Sequence, residues 1–307
     1  MVSPQSASLH DVRTAHELRV TIGPAVVALH CSDPEFAGMV EEWCGLFRTD
    51  REPHYRLEIA LRAGRTAAEI QHLMPELRVL ARDGRFGSDP PLWEAEYRLS
   101  DRCLRFEAER DLFHPAIQPR YLNILLSSLY NSYCEDLGRF PREAYLVHGC
   151  GVTIGDGGYV FTGPSGAGKT TIAGLSGDHA VLNDEVVLVR PRHSSRDGGR
   201  DGDFEVAGTP LLGGINRRSN TAVSLRAVLL LRHSREPALC EVEPKEAYTR
   251  FLAQVFDLAP VLSSGAERLR WLSEKMDFAR DVLQRVPCYE LAFRPDDSFW
   301  PLLQALT

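Results

Sequence analysis

Nine consecutive residues constrain this chain more than any other stretch: Gly163-Pro164-Ser165-Gly166-Ala167-Gly168-Lys169-Thr170-Thr171. Gly163, Gly168, Lys169 and Thr170 satisfy G-x-x-x-x-G-K-[ST], the Walker A spacing of a phosphate-binding P-loop. That mechanism needs a strand before the loop and a helix after it. Both are predicted, because Tyr159 to Thr162 is apolar and β-rich and the residues from Lys169 to Leu175 suit a short helix. Glycines let successive backbone N–H groups turn inward around a phosphate, and a helix N-terminus adds partial positive charge. Lys169 is placed to reach the β- and γ-phosphates of a nucleotide, and the Thr170 hydroxyl to hold Mg²⁺. The plain alternative is a glycine-rich turn with an exposed lysine, and the flanking strand and helix argue against it. Lysine is scarce here: the 35 Lys and Arg residues include only Lys169, Lys245 and Lys275 as lysines. A lysine at the motif position is therefore more informative than usual.

A P-loop does not say what is done with the phosphate, so its surroundings matter. Asn183-Asp184-Glu185 sits between two apolar segments downstream. Acidic residues at a strand end beside a P-loop serve Mg²⁺ or deprotonate an acceptor, and adjacent side chains face opposite ways, so they should have separate tasks. A solvated turn is the bland reading. His148 interrupts the strand begun by Tyr145 and is followed by Gly149 and Gly151, which suggests close backbone approach there. A satisfied structural histidine is the bland reading. Gly208-Thr209-Pro210 followed by Gly213-Gly214 reads either as a second loop near the nucleotide or as a plain turn. Arg217-Arg218 reads as a grip on a phosphate or acidic acceptor, or as a solvated pair. Trp43, Phe47 and Trp271 read as core.

Composition narrows the partners. The formal net charge is -7, which disfavours a groove for nucleic acid. Seven cysteines stand singly with no C-x-x-C pair, so zinc is not suggested and reduced thiols are expected. The first eleven residues have no apolar signal core, and apolar runs such as Ala227 to Leu231 are too short to cross a bilayer. A cytoplasmic protein with no membrane partner is the expectation.

Three regions are expected: an α+β N-terminal domain over 1–115, a candidate for substrate or partner binding; a connecting helix within 116–143; and a P-loop domain over 144–307. The first region carries no chemical motif. Strand pairs are predicted at Glu17 to Gly23 with Val26 to Ser32, and at Leu92 to Leu99 with Cys103 to Glu109. A further strand is predicted at Tyr55 to Arg62, and helices from Asp33-Pro34, from Thr66 and at Tyr121 to Leu137, the last stopped by Gly138 and Pro141. In the third region, strands are predicted at Tyr145 to Ile154, Ala180 to Leu182, Val186 to Val189, Ala222 to Leu231 and Val286 to Phe293. A capping box of Ser264 with Glu267 opens a long helix, and Asp296-Asp297 a short last one. Residues 1–15 and Arg192 to Asp203 lack apolar anchors and read as mobile.

Leu146-Val147-His148-Gly149 before a hairpin, then Phe161 to Thr170, then Leu182-Asn183-Asp184-Glu185-Val186-Val187 resembles the HPr kinase/phosphorylase family. It resembles more closely the HPr-kinase-like proteins of bacterial biosynthetic clusters, whose nucleotide domain is similar to the core of phosphoenolpyruvate carboxykinases. The likeness covers about residues 144–295 and includes Gly208-Thr209-Pro210 and Val286 to Leu291. It implies an α/β P-loop kinase domain with ATP and Mg²⁺ as cofactors. Asp184 falls on the family's acid/base, Glu185 on its second aspartate as a metal ligand beside Thr170, and His148 on its strand histidine near the phosphates. Glu185 departs from the family's aspartate, and Thr170 from its common serine. The later motifs that support phosphorolysis are not recognised, so no phosphorylase is expected.

Three functions follow as expectations. The first is a kinase for a Ser/Thr hydroxyl of a protein or ribosomal peptide. The second is a kinase for a small hydroxylated metabolite. The third is a nucleotide-binding interaction module with little turnover. Oligomeric state and preference for ATP over GTP stay open.

Overall fold

The structure is a computed structural model that describes residues 16–82, 85–114, 120–136, 144–192, 204–215, 217–256 and 265–306. The polar lead 1–15, the run 192–203 apart from Arg192, the helix stops Gly138 and Pro141, and Ser264 lie outside the described residues. The fold is mixed α/β with two sheets. Contacts divide it into one unit up to Tyr121 and a second from Leu122 onward, which also takes the turn Thr21–Ala25.

The first unit is a seven-stranded sheet. Its elements in chain order are β1 (His16–Ile22), β2 (Ala25–Cys31), α1 (Pro34–Cys44), β3 (Tyr55–Arg62), α2 (Ala67–Leu73), β4 (Arg78–Arg82), β5 (Arg85–Asp89), β6 (Trp93–Arg98) and β7 (Cys103–Glu109). The sheet order is β1-β2-β3-β7-β6-β5-β4. Asp33 caps α1 by accepting the Phe36 N–H at 2.8 Å. Thr66 and Glu69 form a reciprocal capping box on α2. Each helix passes into a single 3₁₀ turn, Gly45–Phe47 after α1 and Met74–Glu76 after α2. Strand alternation sorts the faces. Cys31, Ile59, Phe106, Ala95 and Phe86 stand in one cross-strand row, and His30, Glu58, Arg105, Glu96 and Arg85 in the neighbouring row on the other face. The second row alternates in charge, with ion pairs at Arg105–Glu58 (2.7 Å) and Arg85–Glu96 (3.2 Å).

The second unit runs α3 (Arg120–Asp136), β8 (Tyr145–Ile154), β9 (Gly157–Thr162), α4 (Lys169–Gly174), β10 (Val181–Asn183), β11 (Val186–Pro191), β12 (Phe204–Ala207), β13 (Ala222–His233), β14 (Ala238–Glu241), α5 (Pro244–Leu252), α6 (Gly265–Arg285), β15 (Cys288–Phe293) and α7 (Trp300–Gln304). Five of its strands pair in a closed ring: β8 with β11, β11 with β12, β12 with β13, β13 with β9, and β9 back to β8. β10 adds to β8, and β15 and then β14 extend from β13. β9, β13 and β15 run parallel, so their carboxyl ends share one rim.

The apolar run 227–231 is wholly buried because the sheet is covered on both faces. Val160, Val228 and Leu230 pack with Phe251, Phe278 and Val282 of α5 and α6. Phe161, Ala227, Leu229 and Leu231 pack with Ile172 and Ala173 of α4 and with Trp300 and Leu303 of α7. Each fully buried Val, Leu, Ile or Phe among them contributes about 1.5–3 kcal/mol over leaving it exposed. These two clusters fix β9 from both sides, and β9 carries the P-loop. Among the described residues, no helix is long and apolar enough to cross a membrane.

Candidate active site

The loop leaves β9 at Thr162 and enters α4 at Lys169. Gly166 (φ +80°) and Gly168 (φ +105°) take left-handed backbone that a side chain would strain. At Gly168 space forbids one as well, since a Cβ would stand 2.5 Å from Phe293 Cζ. Ala167 N–H closes the turn on the Pro164 carbonyl at 3.1 Å. Pro164, Ser165, Gly166 and Thr170 are exposed, Thr171 is half-buried, and Gly163 is buried at the strand end. α4 has only six residues, so it adds little helix dipole at the loop.

Lys169 is 7% exposed. Its Nζ donates to the carbonyls of Gly163 (2.9 Å) and Pro164 (3.2 Å). Burial lowers its pKa, and the Glu185 carboxylate partly offsets this. Among the described residues it forms no ion pair, so the ammonium is desolvated without an anion against it.

Asp184 is fully buried. Its Oδ2 accepts the N–H groups of Gly214 (2.7 Å) and Ile215 (3.1 Å), while Oδ1 is buried with no hydrogen-bond partner among the described residues. Burial raises its pKa against the pull of those two amides. The backbone over it is a strap, residues 208–215. Gly214 lies between the strap's two neighbours: a Cβ there would stand 3.6 Å from Thr170 Oγ1 and 3.7 Å from Asp184 Oδ2. The acidic residue is thus beside the P-loop, as the spacing predicts, but covered rather than open to an acceptor.

Glu185 faces the other way, with its side chain 40% exposed, and its Oε1 lies 3.5 Å from His148 Nε2. His148 reaches this place because β8 and β11 pair in register, Val186 opposite His148. The Thr162 hydroxyl donates to the His148 carbonyl at 2.6 Å, tying this strand to the start of the loop.

Three expected contacts with a substrate have internal partners instead. Thr209 is fully buried, and its hydroxyl donates to the Val186 carbonyl at 2.6 Å. Arg217 donates to the carbonyls of Ala173 (2.9 Å), Gly177 (2.9 Å) and His179 (3.2 Å), closing the end of α4. Arg218 donates to the Pro210 carbonyl at 3.2 Å. The arginines satisfy backbone acceptors left over by a short helix and a tight turn, Arg217 from 38 to 44 residues further along the chain and Arg218 from eight.

Four residues to which the sequence assigns no role of their own build the site. Asn183 Nδ2 donates to the carbonyls of Thr209 (3.0 Å) and Leu211 (2.7 Å), while its Oδ1 accepts the N–H groups of Glu185 (2.7 Å) and Val186 (3.0 Å). Asn123 on α3 grips Leu212 at both ends of its peptide unit, accepting its N–H at 2.7 Å and donating to its carbonyl at 2.8 Å. These two amides hold the strap. His233 ends β13 and bonds the Gly166 carbonyl at 2.9 Å, and Phe293 ends β15 behind Gly168. The only sequence signal for the last two is their place at the carboxyl ends of strands parallel to β9.

No protein-family model matches the chain, and no curated protein matches it.

Among the described residues, no cluster of three His, Cys, Asp or Glu side chains stands ready for a metal. A Mg²⁺ ion at a phosphate site takes most of its ligands from phosphates and water, so one or two protein oxygens suffice. Thr170 Oγ1, the unpartnered Asp184 Oδ1 and Glu185 are the oxygens that fit.

Proposed function

We propose that this chain is an ATP-dependent kinase of the HPr-kinase-like type that phosphorylates a Ser/Thr hydroxyl of a protein or peptide. One observation carries the reading. A glycine-rich loop with two left-handed glycines holds a buried Lys169, without an ion pair among the described residues, beside an exposed Thr170, with the Asp184 carboxylate one glycine away. The resemblance in the order His148-Gly149, P-loop, Asp184-Glu185 supports the same reading.

The residues suit in-line transfer, in which the acceptor oxygen bonds to the γ-phosphorus as the bond to the β-γ bridging oxygen breaks and ADP leaves. Loop amides hold and orient the phosphates. Lys169 moves from the Gly163 and Pro164 carbonyls to the β- and γ-phosphate oxygens and neutralises the charge that shifts between them. Thr170 holds Mg²⁺ with Asp184 or Glu185, and the ion supplies further charge neutralisation when bound. A carboxylate takes the hydroxyl proton. For Asp184 to do so, the strap over it has to lift; Glu185 and His148 are already partly exposed.

The covering of Asp184 also favours a second reading, a nucleotide-binding module with slow turnover. A small hydroxylated metabolite as acceptor uses the same site. Titration calorimetry with Mg-ATP and Mg-ADP tests the shared premise. The wild type should bind, and Lys169→Ala should lose binding or transfer while keeping its fold. A wild type that binds neither nucleotide, with or without Mg²⁺, ends the proposal.

A further inference from the structure

We propose that the imidazole ring of His233 is the platform on which the base of a bound purine nucleotide stacks. This rests on the nucleotide reading of the loop given above. The carboxyl ends of β9, β13 and β15 share a rim, and ligands of such sheets settle outside those ends. The loop stands at that rim with unlike neighbours on its two sides. On one side β9 pairs with β8, which pairs with the segments carrying Asp184 and Glu185. On the other side β9 pairs with β13, and β13 with β15. A nucleotide whose terminal phosphate faces the carboxylates must send its sugar and base over the ends of β13 and β15.

His233 is the last residue of β13 and is exposed. Its ring is fixed twice. Nε2 lies 2.9 Å from the Gly166 carbonyl oxygen, and because a carbonyl only accepts, Nε2 carries the proton. The ring centre lies 5.4 Å from that of Phe293 at a tilt of 32°. Phe293 in turn fills the space behind Gly168, so ring, loop and strand end form one rigid set. An exposed aromatic ring already held in place loses little freedom when a base covers it. Imidazole belongs to the rings on which bases stack, and stacking reads the π-face rather than the hydrogen-bonding edge. The contact therefore accepts adenine and guanine alike.

The test compares Mg-ATP with Mg-tripolyphosphate, which has the phosphates but no base, by calorimetry on the full chain. His233→Gln keeps a donor for Gly166 but has no ring, whereas His233→Phe keeps a ring but has no donor. The readout is the ratio of the two affinities, because loosening of the loop lowers both ligands together. His233→Gln should reduce the ATP preference by about tenfold, the scale of one stacked base, and His233→Phe should leave it within about twofold. An unchanged ratio in His233→Gln overturns the platform and leaves the loop reading standing. Equal wild-type affinities for the two ligands do the same. A wild type that binds neither ligand overturns both. A second measurement needs no variant: the fluorescence of 2-aminopurine riboside triphosphate should fall when the wild type binds it, and binding without quenching counts against the platform.

Discussion

Asp184 and Gly213 are packed so closely that no side chain fits between them: a Cβ on Gly213 would lie 1.9 Å from Asp184 Oδ1 and 2.3 Å from its Cγ. The strap cannot slide away cheaply, since Asn183, Asn123 and Asp184 all hold its backbone. Gly213→Ala should therefore destabilise the protein by about 1–3 kcal/mol, the usual cost of overpacking, and should weaken binding of Mg-nucleotide. Thermal unfolding and calorimetry check the two effects, and an unchanged Tm would mean that the strap yields freely.

The two carboxylates should separate in kinetics. With Asp184 as base, Asp184→Asn binds nucleotide nearly normally and loses roughly 10²–10⁴-fold in transfer rate. Glu185→Gln instead raises the Mg²⁺ concentration needed for half-maximal rate. Single-turnover transfer to the acceptor, with Mg²⁺ varied, reads both. Full rate in Asp184→Asn would give the proton to Glu185, to His148 or to the substrate itself.

Arg217 should behave as part of the frame and not of the ligand site. Its guanidinium holds three backbone carbonyls around the end of α4. Arg217→Ala should cost about 1 kcal/mol, because three backbone acceptors, of which only that of Ala173 is on a buried residue, lose their donor. Nucleotide affinity should change by less than about twofold, within ordinary context effects on a distant contact. Urea unfolding beside calorimetry decides it, and a large loss of affinity at unchanged stability would reverse the assignment.

Glu290 sets a dependence on pH. Burial pushes its pKa up, but hydrogen bonds and charge from Arg232 (2.5 Å) and Arg250 (2.8 Å) outweigh burial and hold it below the ordinary 4.5. A carboxylate with a depressed folded pKa stabilises the fold above its unfolded pKa, and the contribution is lost as pH falls through the folded value. Glu290→Gln should thus cost about 1 kcal/mol near pH 7, a modest figure because Arg232 is half-exposed. The difference between variant and wild type should close well below pH 4.5. Denaturant midpoints across that range test the sign.

The sequence was most readable where structure is local. Tyr55 to Arg62 alternates so regularly that its strand has those very bounds, and the P-loop context of strand and helix appears as expected. β14 and β12 went unread because four-residue strands carry too little pattern, and the β4–β5 hairpin because its polar residues resemble a loop. α5 went unread although Pro244 and Glu246 mark its first turn, because its cap, Glu243, is an uncommon one. In the site, residue types were legible and exposure was not. Asp184 is covered by amides 30 and 31 residues away, and Arg217 finds its carbonyls 38 to 44 residues back. Such partners are set by how β10, β12 and α4 come together, which no short spacing records.

The closed ring of strands gives β9 a neighbour on each side along its length, so the P-loop is rooted in a strand with no free edge. To fray, β9 would have to break a hoop whose other staves must open with it. Backbone amides of Tyr159 to Phe161 should accordingly resist deuterium exchange up to the free energy of global unfolding. The strap, a connection between two staves, is held by Asn183, Asn123 and Asp184, so its opening is resisted by those bonds and not by the hoop. Rigidity beneath the glycine-rich loop and the hold on the strap above Asp184 are then separate properties of one sheet, and a mutation can alter the second without touching the first.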